Sequence, residues 1–225
     1  MNGPETLDWL RQRRSVRRFK DAPIPRPALR RLIEAAITAP SGTNRQPWRF
    51  AVVLDPQRKL ELRSAVRFSA EKLTRVIGAS PHRDEFGHYG DFFFEPLETA
   101  AVIVIPQYRE YPDQLSSFVA SAGASLSALD GVESPAAMHS EICATSAAVM
   151  ALLLQATAEG LGACWMAGPM IARASVERVV GVKAPFHMLG AVAVGWPDER
   201  PAPVGRRDLD RVVTWFEPDD AKPSE

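Results

Sequence analysis

Apolar positions along this chain follow two rhythms. The first is helical. Leu29, Leu32, Ile33 and Ile37 recur at three- and four-residue spacing, with Arg30, Arg31 and Glu34 off the stripe, which predicts an amphipathic helix over residues 27–38. Residues 57–77 repeat the pattern, with Leu60, Leu62, Val66, Leu73 and Val76 as expected core contacts. Residues 5–12, with Leu7 and Leu10 on one side, and residues 173–180 read as short helices. Ser140 to Glu159 reads as a long buried helix with Val149, Leu152, Leu153 and Ala156 inside, stopped by Gly160. The second rhythm is extended. Residues 49–54, the continuous apolar run 101–105 and residues 189–194 are predicted strands, and residues 211–216 are a last strand candidate.

Between these elements the chain is punctuated. Prolines at 23, 25 and 27 forbid a continuous helix over residues 21–27, and Pro40-Ser41-Gly42 ends the helix before it. Residues 162–170 read as a glycine-marked turn and residues 78–95 as irregular. Residues 107–140 are weakly patterned and rich in small residues, expected in part as a mobile loop. Residues 217–225 read as a polar, disordered tail. Strands separated by long helices indicate a mixed α/β (α+β) class with an open sheet covered by helices. Without an internal repeat or linker, residues 1–225 are expected to form a single domain, structured over about 7–216. The pattern lacks the regular strand–helix alternation of a doubly wound dinucleotide fold.

Charge narrows the function classes. Lys plus Arg equals Asp plus Glu at 27 each, and non-specific binding of nucleic acid or membrane surfaces needs a basic excess. Neither partner is expected. The N-terminal residues have no apolar core of signal-peptide type, so a cytoplasmic location is expected. Cys143 and Cys164 form no CxxC pair, and no His/Cys cluster has zinc-like spacing, so no metal is expected and both thiols read as buried small hydrophobes. His82, His88, His139 and His187 read as surface or satisfied histidines rather than ligands.

Against that neutral background one segment stands out. Arg13-Arg14-Ser15-Val16-Arg17-Arg18 carries four guanidiniums and a hydroxyl. It reads either as a solvated basic loop or as an anion site. In extended conformation Arg13, Ser15 and Arg17 project to one side, where they could hold a phosphate or an anionic ring. A second stretch, Ala39-Pro-Ser-Gly-Thr-Asn-Arg-Gln-Pro-Trp48, crowds hydroxyls and amides beside a large apolar anchor, a composition that suits a flat heteroaromatic ligand. For most such loops a plain helix-to-strand connection would explain as much.

Together with the helix between them, these two stretches resemble the N-terminal signature of the FMN-dependent nitroreductase superfamily, which includes nitroreductases, flavin reductases, iodotyrosine deiodinase and a flavin-fragmenting enzyme. Two further stretches follow in the order the resemblance requires: Leu152 to Pro169, similar to the family's central helix and glycine turn, and Gly205-Arg-Arg-Asp-Leu-Asp210, similar to its C-terminal basic motif. The resemblance covers roughly residues 7–216.

That likeness implies a nitroreductase-like fold: a central mixed, mostly antiparallel sheet flanked by helices, in a homodimer with C-terminal strand exchange. It gives the anion an identity, FMN. Arg13, Arg14 and Ser15 would hold the phosphate, Arg17 the pyrimidine edge of the ring, and Arg206 with Arg207 would close the phosphate site, while Arg18 would be structural. Pro40, Ser41 and Asn44 would contact the flavin from the partner subunit, and the backbone of Ala167 and Gly168 would approach the ring, leaving no catalytic side chain. Cys164 and Met166 would pack, and Phe92, Phe93 and Phe94 would line the cavity or the core. The implied activity is ping-pong reduction of nitroaromatic, quinone or related small molecules by NADH or NADPH. A flavin-fragmenting or other biosynthetic enzyme and a non-catalytic flavin-binding protein are the alternatives. Residues 64–80 hold Glu71 and Lys72 but no suitably placed tyrosine, so they do not reproduce the deiodinase lid.

Overall fold

The computed structural model describes residues 2–85 and 95–216. Its first elements start where local chemistry tells them to. Helix α1 (Gly3–Leu10) opens on a reciprocal cap between Asn2 and Glu5. Helix α2 (Arg26–Ala36) begins at Pro25 and Pro27 and buries Ala28, Leu29, Leu32 and Ala36. Ile37, expected inside, sits at the frayed end and is 49% exposed. Strand β1 (Trp48–Val53) follows. Helix α3 (Pro56–Ile77) is capped by Asp55, whose carboxylate accepts from the Arg58 amide at 2.8 Å. It buries Leu62, Val66 and Ala70. Leu60, Leu73 and Val76 are exposed, contrary to expectation, because only one narrow stripe of this helix meets the core.

Strand β2 (Val102–Arg109) is buried along nearly its whole length. Val102 and Val104 face one core cluster and Ile103 and Ile105 the other, so β2 is the middle of a three-layer sandwich. The expected loop at 107–140 instead holds the end of β2 and helix α4 (Gln114–Ser121), whose cap is Asp113. Helix α5 (Ser140–Ala158) covers the first face beside α2, with Ala148, Val149, Leu152 and Ala156 fully buried. Gly160, at φ 71°, turns the chain out of it.

Residues 162–166, expected as a turn, form strand β3 (Gly162–Met166). Helix α6 (Arg173–Val180), strand β4 (Phe186–Met188) and strand β5 (Ala191–Gly195) complete the elements, with α3 and α6 on the second face. The sheet runs β1-β2-β5-β3, and β4 also pairs with β2. All these pairings are antiparallel, whereas Ser15 bridges Ala163 in parallel, so the sheet is mixed and mostly antiparallel as expected. Residues 211–216 form no strand within the chain: a short 3-10 turn covers Leu209–Arg211, and Trp215 and Phe216 are exposed. The Phe92–Phe94 run, His88 and the 217–225 tail lie outside the described residues. Among the described residues one helix, α5, is long and apolar enough to cross a membrane, and its buried face packs on the sheet.

An ion pair ties α2 to the end of α5. Arg31 donates Nε and Nη2 to the two carboxylate oxygens of Glu159 at 2.5 and 2.7 Å. That guanidinium, with a bond from Gln155, holds the Glu159 carboxyl down at about 2. Its folded value lies below its unfolded one, so its stabilisation is complete above the ordinary carboxylate range and lost as pH falls toward about 2. Arg31→Ala should therefore lower the melting temperature at neutral pH and leave it nearly unchanged at pH about 2, read by thermal unfolding at both.

Candidate cofactor site

The arginine segment is held in place by its apolar residues. Val16 and Phe19 are buried, and each lies over a glycine. A Cβ on Gly162 would stand 2.7 Å from Val16, and one on Gly195 would stand 2.7 Å from Phe19. The two glycines thus let the segment lie flat along the end of the sheet. The Val16 amide donates to Ala163 O at 3.1 Å, Lys20 N to Trp196 O at 2.9 Å, and Phe19 N to Thr99 Oγ1 at 3.2 Å. Glu199 completes the fastening: its Oε1 accepts from the Arg17 amide at 2.5 Å and the Arg18 amide at 3.2 Å. Its Oε2 pairs with Arg18 Nε at 3.3 Å, which gives Arg18 a structural role.

The other arginines differ in what they do. Arg14 donates Nη1 to the carbonyls of Arg11 and Arg13, capping the end of α1. Arg13 pairs with no carboxylate, and the Ser15 hydroxyl makes no hydrogen bond, among the described residues. Burial pushes the Cys164 thiol up, while the nearby charges of Arg17 and then Arg13 pull it back down. Cys164 and Met166 are buried in the second core cluster, as packing residues should be. Cys143, by contrast, is exposed.

Register orders the site. The segment runs parallel to β3, with Ser15 beside Ala163. From there the chain crosses the start of β3 to the end of β5, where Phe19 bridges Pro197 and the Arg17 amide meets Glu199. Ala167 is exposed and Gly168 half-buried. Neither of their amides donates a hydrogen bond among the described residues. Backbone donors left open at a strand end favour an acceptor atom there. A cation and a hydroxyl without internal partners among the described residues and a second cation thus sit in one segment beside β3, and open amides follow that strand. A ligand with an anionic group and a flat hydrogen-bonding ring suits that set of groups, and FMN is such a ligand.

The Pro40–Trp48 stretch is a strained loop. Thr43, Asn44 and Gln46 have φ of 51°, 54° and 48°, a costly run for residues other than glycine. Ser41 Oγ accepts from the Gln46 amide at 3.0 Å and holds the bend, and Trp48 is the buried anchor expected. Pro40 and Asn44 are exposed, and the Asn44 side chain makes no hydrogen bond among the described residues.

The chain does not bring this loop to its own arginine segment. The loop leads into β1 at one edge of the sheet, and the segment lies outside β3 at the other. Four strand spacings separate β1 from the segment, about 19 Å at 4.8 Å each. Arg206 and Arg207 are exposed, and the Arg206 guanidinium donates to the carbonyls of Val204 and Gly205 in its own segment. Three contributors went unread in the sequence: Glu199, Gly162 and Gly195. None carries a motif, since each acts through what the fold lays against it.

The sequence profile of the nitroreductase family matches residues 10–196. The chain belongs to that family. It is 33% identical over 213 residues to an NADH dehydrogenase of Thermus thermophilus, covering 91% of this chain and 92% of that one. Over 111 residues, about half of each chain, it is 43% identical to an iodotyrosine deiodinase of Haliscomenobacter hydrossis. A nitroreductase-type protein from Desulfovibrio desulfuricans, solved in complex with FMN, superposes with TM-score 0.65 at 26% identity, covering 96% of this chain and 99% of that one. A BluB-like flavoprotein from Clostridium difficile reaches TM-score 0.79 at 19% identity over 94% and 99%, a likeness of fold. The nitroreductase-like fold expected from the sequence is therefore the fold observed.

Proposed function

We propose that this nitroreductase-family protein is an FMN-dependent oxidoreductase that uses NADH or NADPH to reduce electron-poor small molecules, and that its FMN lies between two copies of the chain. The observation that carries this reading is the separation of the two halves of the cradle. Arg13, Ser15 and Arg17 line one edge of the sheet and the Pro40–Asn44 loop the other. A second copy related by a twofold axis brings one loop to the other's arginines.

Apolar surface supports the pairing. Val204, Leu209, Val212, Trp215 and Phe216 are exposed, with Phe216 at 94%. Helix α5 is apolar on both sides yet buries only one, leaving Met150 and Ala151 facing outward. A second copy would cover both surfaces, with the C-terminal segment exchanged.

Bound in this cradle, FMN would supply the two-electron carrier between nicotinamide and acceptor. The chain's own residues position and polarise. Arg13 and Ser15 hold the phosphate, and Arg14, Arg206 and Arg207 add positive charge around it. Arg17 stands at the ring edge, where its fixed charge favours the reduced, more negative form. The Ala167 and Gly168 amides orient the ring, and Ser41 and Asn44 of the second copy close over it. Equal acidic and basic content fits a cytoplasmic enzyme working on small molecules. The relatives' names, NADH dehydrogenase and a putative NAD(P)H nitroreductase of Bacillus subtilis, support the nicotinamide as donor.

Anaerobic titration of the FMN-loaded protein tests the activity. NADH or NADPH should bleach the visible flavin absorbance, and an added quinone should restore it. A spectrum unmoved by both nicotinamides would leave a flavin-binding protein without this activity.

A further inference from the structure

A cavity of about 870 Å³ opens at the β1 edge of the sheet. The strained loop forms its rim through Gly42, Thr43 and Arg45, and the 112–118 and 136–142 segments form its far wall. Its size is that of a small-molecule site. Phe118 and Met138 line it, and both are 67% exposed although apolar. Tyr108 and Tyr111 add two rings. Such walls suit a flat aromatic molecule.

The polar lining has a sign. Glu110, Asp113 and Glu141 each contribute a carboxylate. Arg45 is already engaged: it donates Nη2 to Gln114 Oε1 at 2.5 Å and stacks 5.0 Å from the Tyr111 centroid, where Arg109 also stacks at 5.2 Å. Asp113 accepts from the hydroxyls of Ser116 and Ser134, which hold its carboxyl below the ordinary range and pin the two walls together. Glu110 lies 3.5 Å from His187 Nε2, and Glu141 has no cationic partner among the described residues. The three carboxylates outnumber the Arg45 and Arg109 guanidiniums, which keep their charge on Gln114 and Tyr111, so the potential in the cleft stays negative.

We propose that this cavity holds the electron acceptor, a planar aromatic molecule that is neutral or positively charged, and that Glu110, Asp113 and Glu141 turn anionic acceptors away. This rests on the shared-site reading, because the cavity lies across the sheet from its own chain's arginine segment and so serves the cofactor of the other copy. With a quinone, the acceptor takes up two electrons and two protons to become a hydroquinone. NADH supplies the electrons and one proton as hydride and becomes NAD+, and solvent supplies the other proton.

The test compares naphthoquinone with its sulfonate on the FMN-loaded protein. The sulfonate is the more easily reduced, so driving force alone favours it. Steady-state kcat/KM should nevertheless be about tenfold higher for the neutral quinone, and added salt should narrow the gap. Glu141→Gln should narrow it about threefold, and Phe118→Ala, at an exposed position, should raise the naphthoquinone KM several-fold. Equilibrium dialysis of naphthol against naphthalene sulfonate, neither of them reducible, should show the same order of binding. Equal use of the two quinones, or equal binding of the two analogues, would overturn the charge filter. NADH bleaching is recorded on the same samples: bleaching with equal quinone ratios rejects the filter alone, and absent bleaching rejects the oxidoreductase reading beneath it.

Discussion

Replacing Arg13 with alanine is expected to weaken FMN binding about 10- to 150-fold, because a charge-assisted phosphate contact contributes about 1.5–3 kcal/mol. Among the described residues Arg13 pairs with no carboxylate and its guanidinium makes no internal hydrogen bond, so it stands ready for an external anion. Removing it disturbs no internal bond among the described residues. The apoprotein's melting temperature should therefore stay within a degree or two of the parent, while flavin is lost on dialysis. Arg18→Ala is the contrast: it breaks the pair with Glu199 and should cost stability before it costs flavin. Fluorescence titration of FMN into the two apoproteins reads the difference. Unchanged FMN affinity in Arg13→Ala would remove Arg13 from the site.

Gly162→Ala should have the second large effect, and it should strike stability and cofactor together. The added methyl would stand 2.7 Å from Val16 Cγ1 and 2.8 Å from its Cβ. Val16 is buried and branched, so it cannot swing away as a flexible side-chain tip would. Overpacking of this kind costs about 1–3 kcal/mol, which in a chain of this size lowers the melting temperature by about 2–12 °C. The chain relieves the clash by lifting the 13–17 segment off β3, and FMN affinity falls with it. A Gly162→Ala protein as stable and as flavin-tight as the parent would show that the segment does not depend on this close approach.

How far the sequence carried differs between fold and site. Helix α5 and strand β2 were legible because their apolar patterns are long and unbroken. The core residues of α3 were overcounted, since periodicity marks a stripe but not how wide a neighbour covers it. Strand β3 was taken for a turn: Gly162 signals a turn by composition, yet here its missing side chain admits Val16. Helix α4 stayed hidden because its outward Phe118 and inward polar cap Asp113 invert the usual pattern. At the candidate site, alternation puts Arg13, Ser15 and Arg17 on one side, and the pair with Glu199 gives Arg18 a structural role. Arg14 adjoins them in sequence, and its guanidinium donates to carbonyls at the end of α1. Glu199 lies 182 residues from the amide it holds, and no local reading connects the two.

The 211–216 segment teaches a related lesson. Its alternating Val, Trp and Phe residues predict a strand, but among the described residues no strand pairs with it. A pattern can record a residue's preference without a surface in the same chain's described residues to satisfy it, and under the shared-site proposal a second copy supplies that surface.

The most direct measurement is FMN binding by mixed dimers. One chain carries Arg13→Ala and its partner carries Asn44→Ala together with Ser41→Ala. Each variant alone should bind FMN weakly. In the mixed dimer one site combines both defects, and the other combines an intact arginine segment with an intact loop from the neighbouring chain. The shared-site account predicts that mixing restores parental FMN affinity at half of the sites. If both halves of each cradle came from one chain, mixing would restore none, and that result would contradict the account.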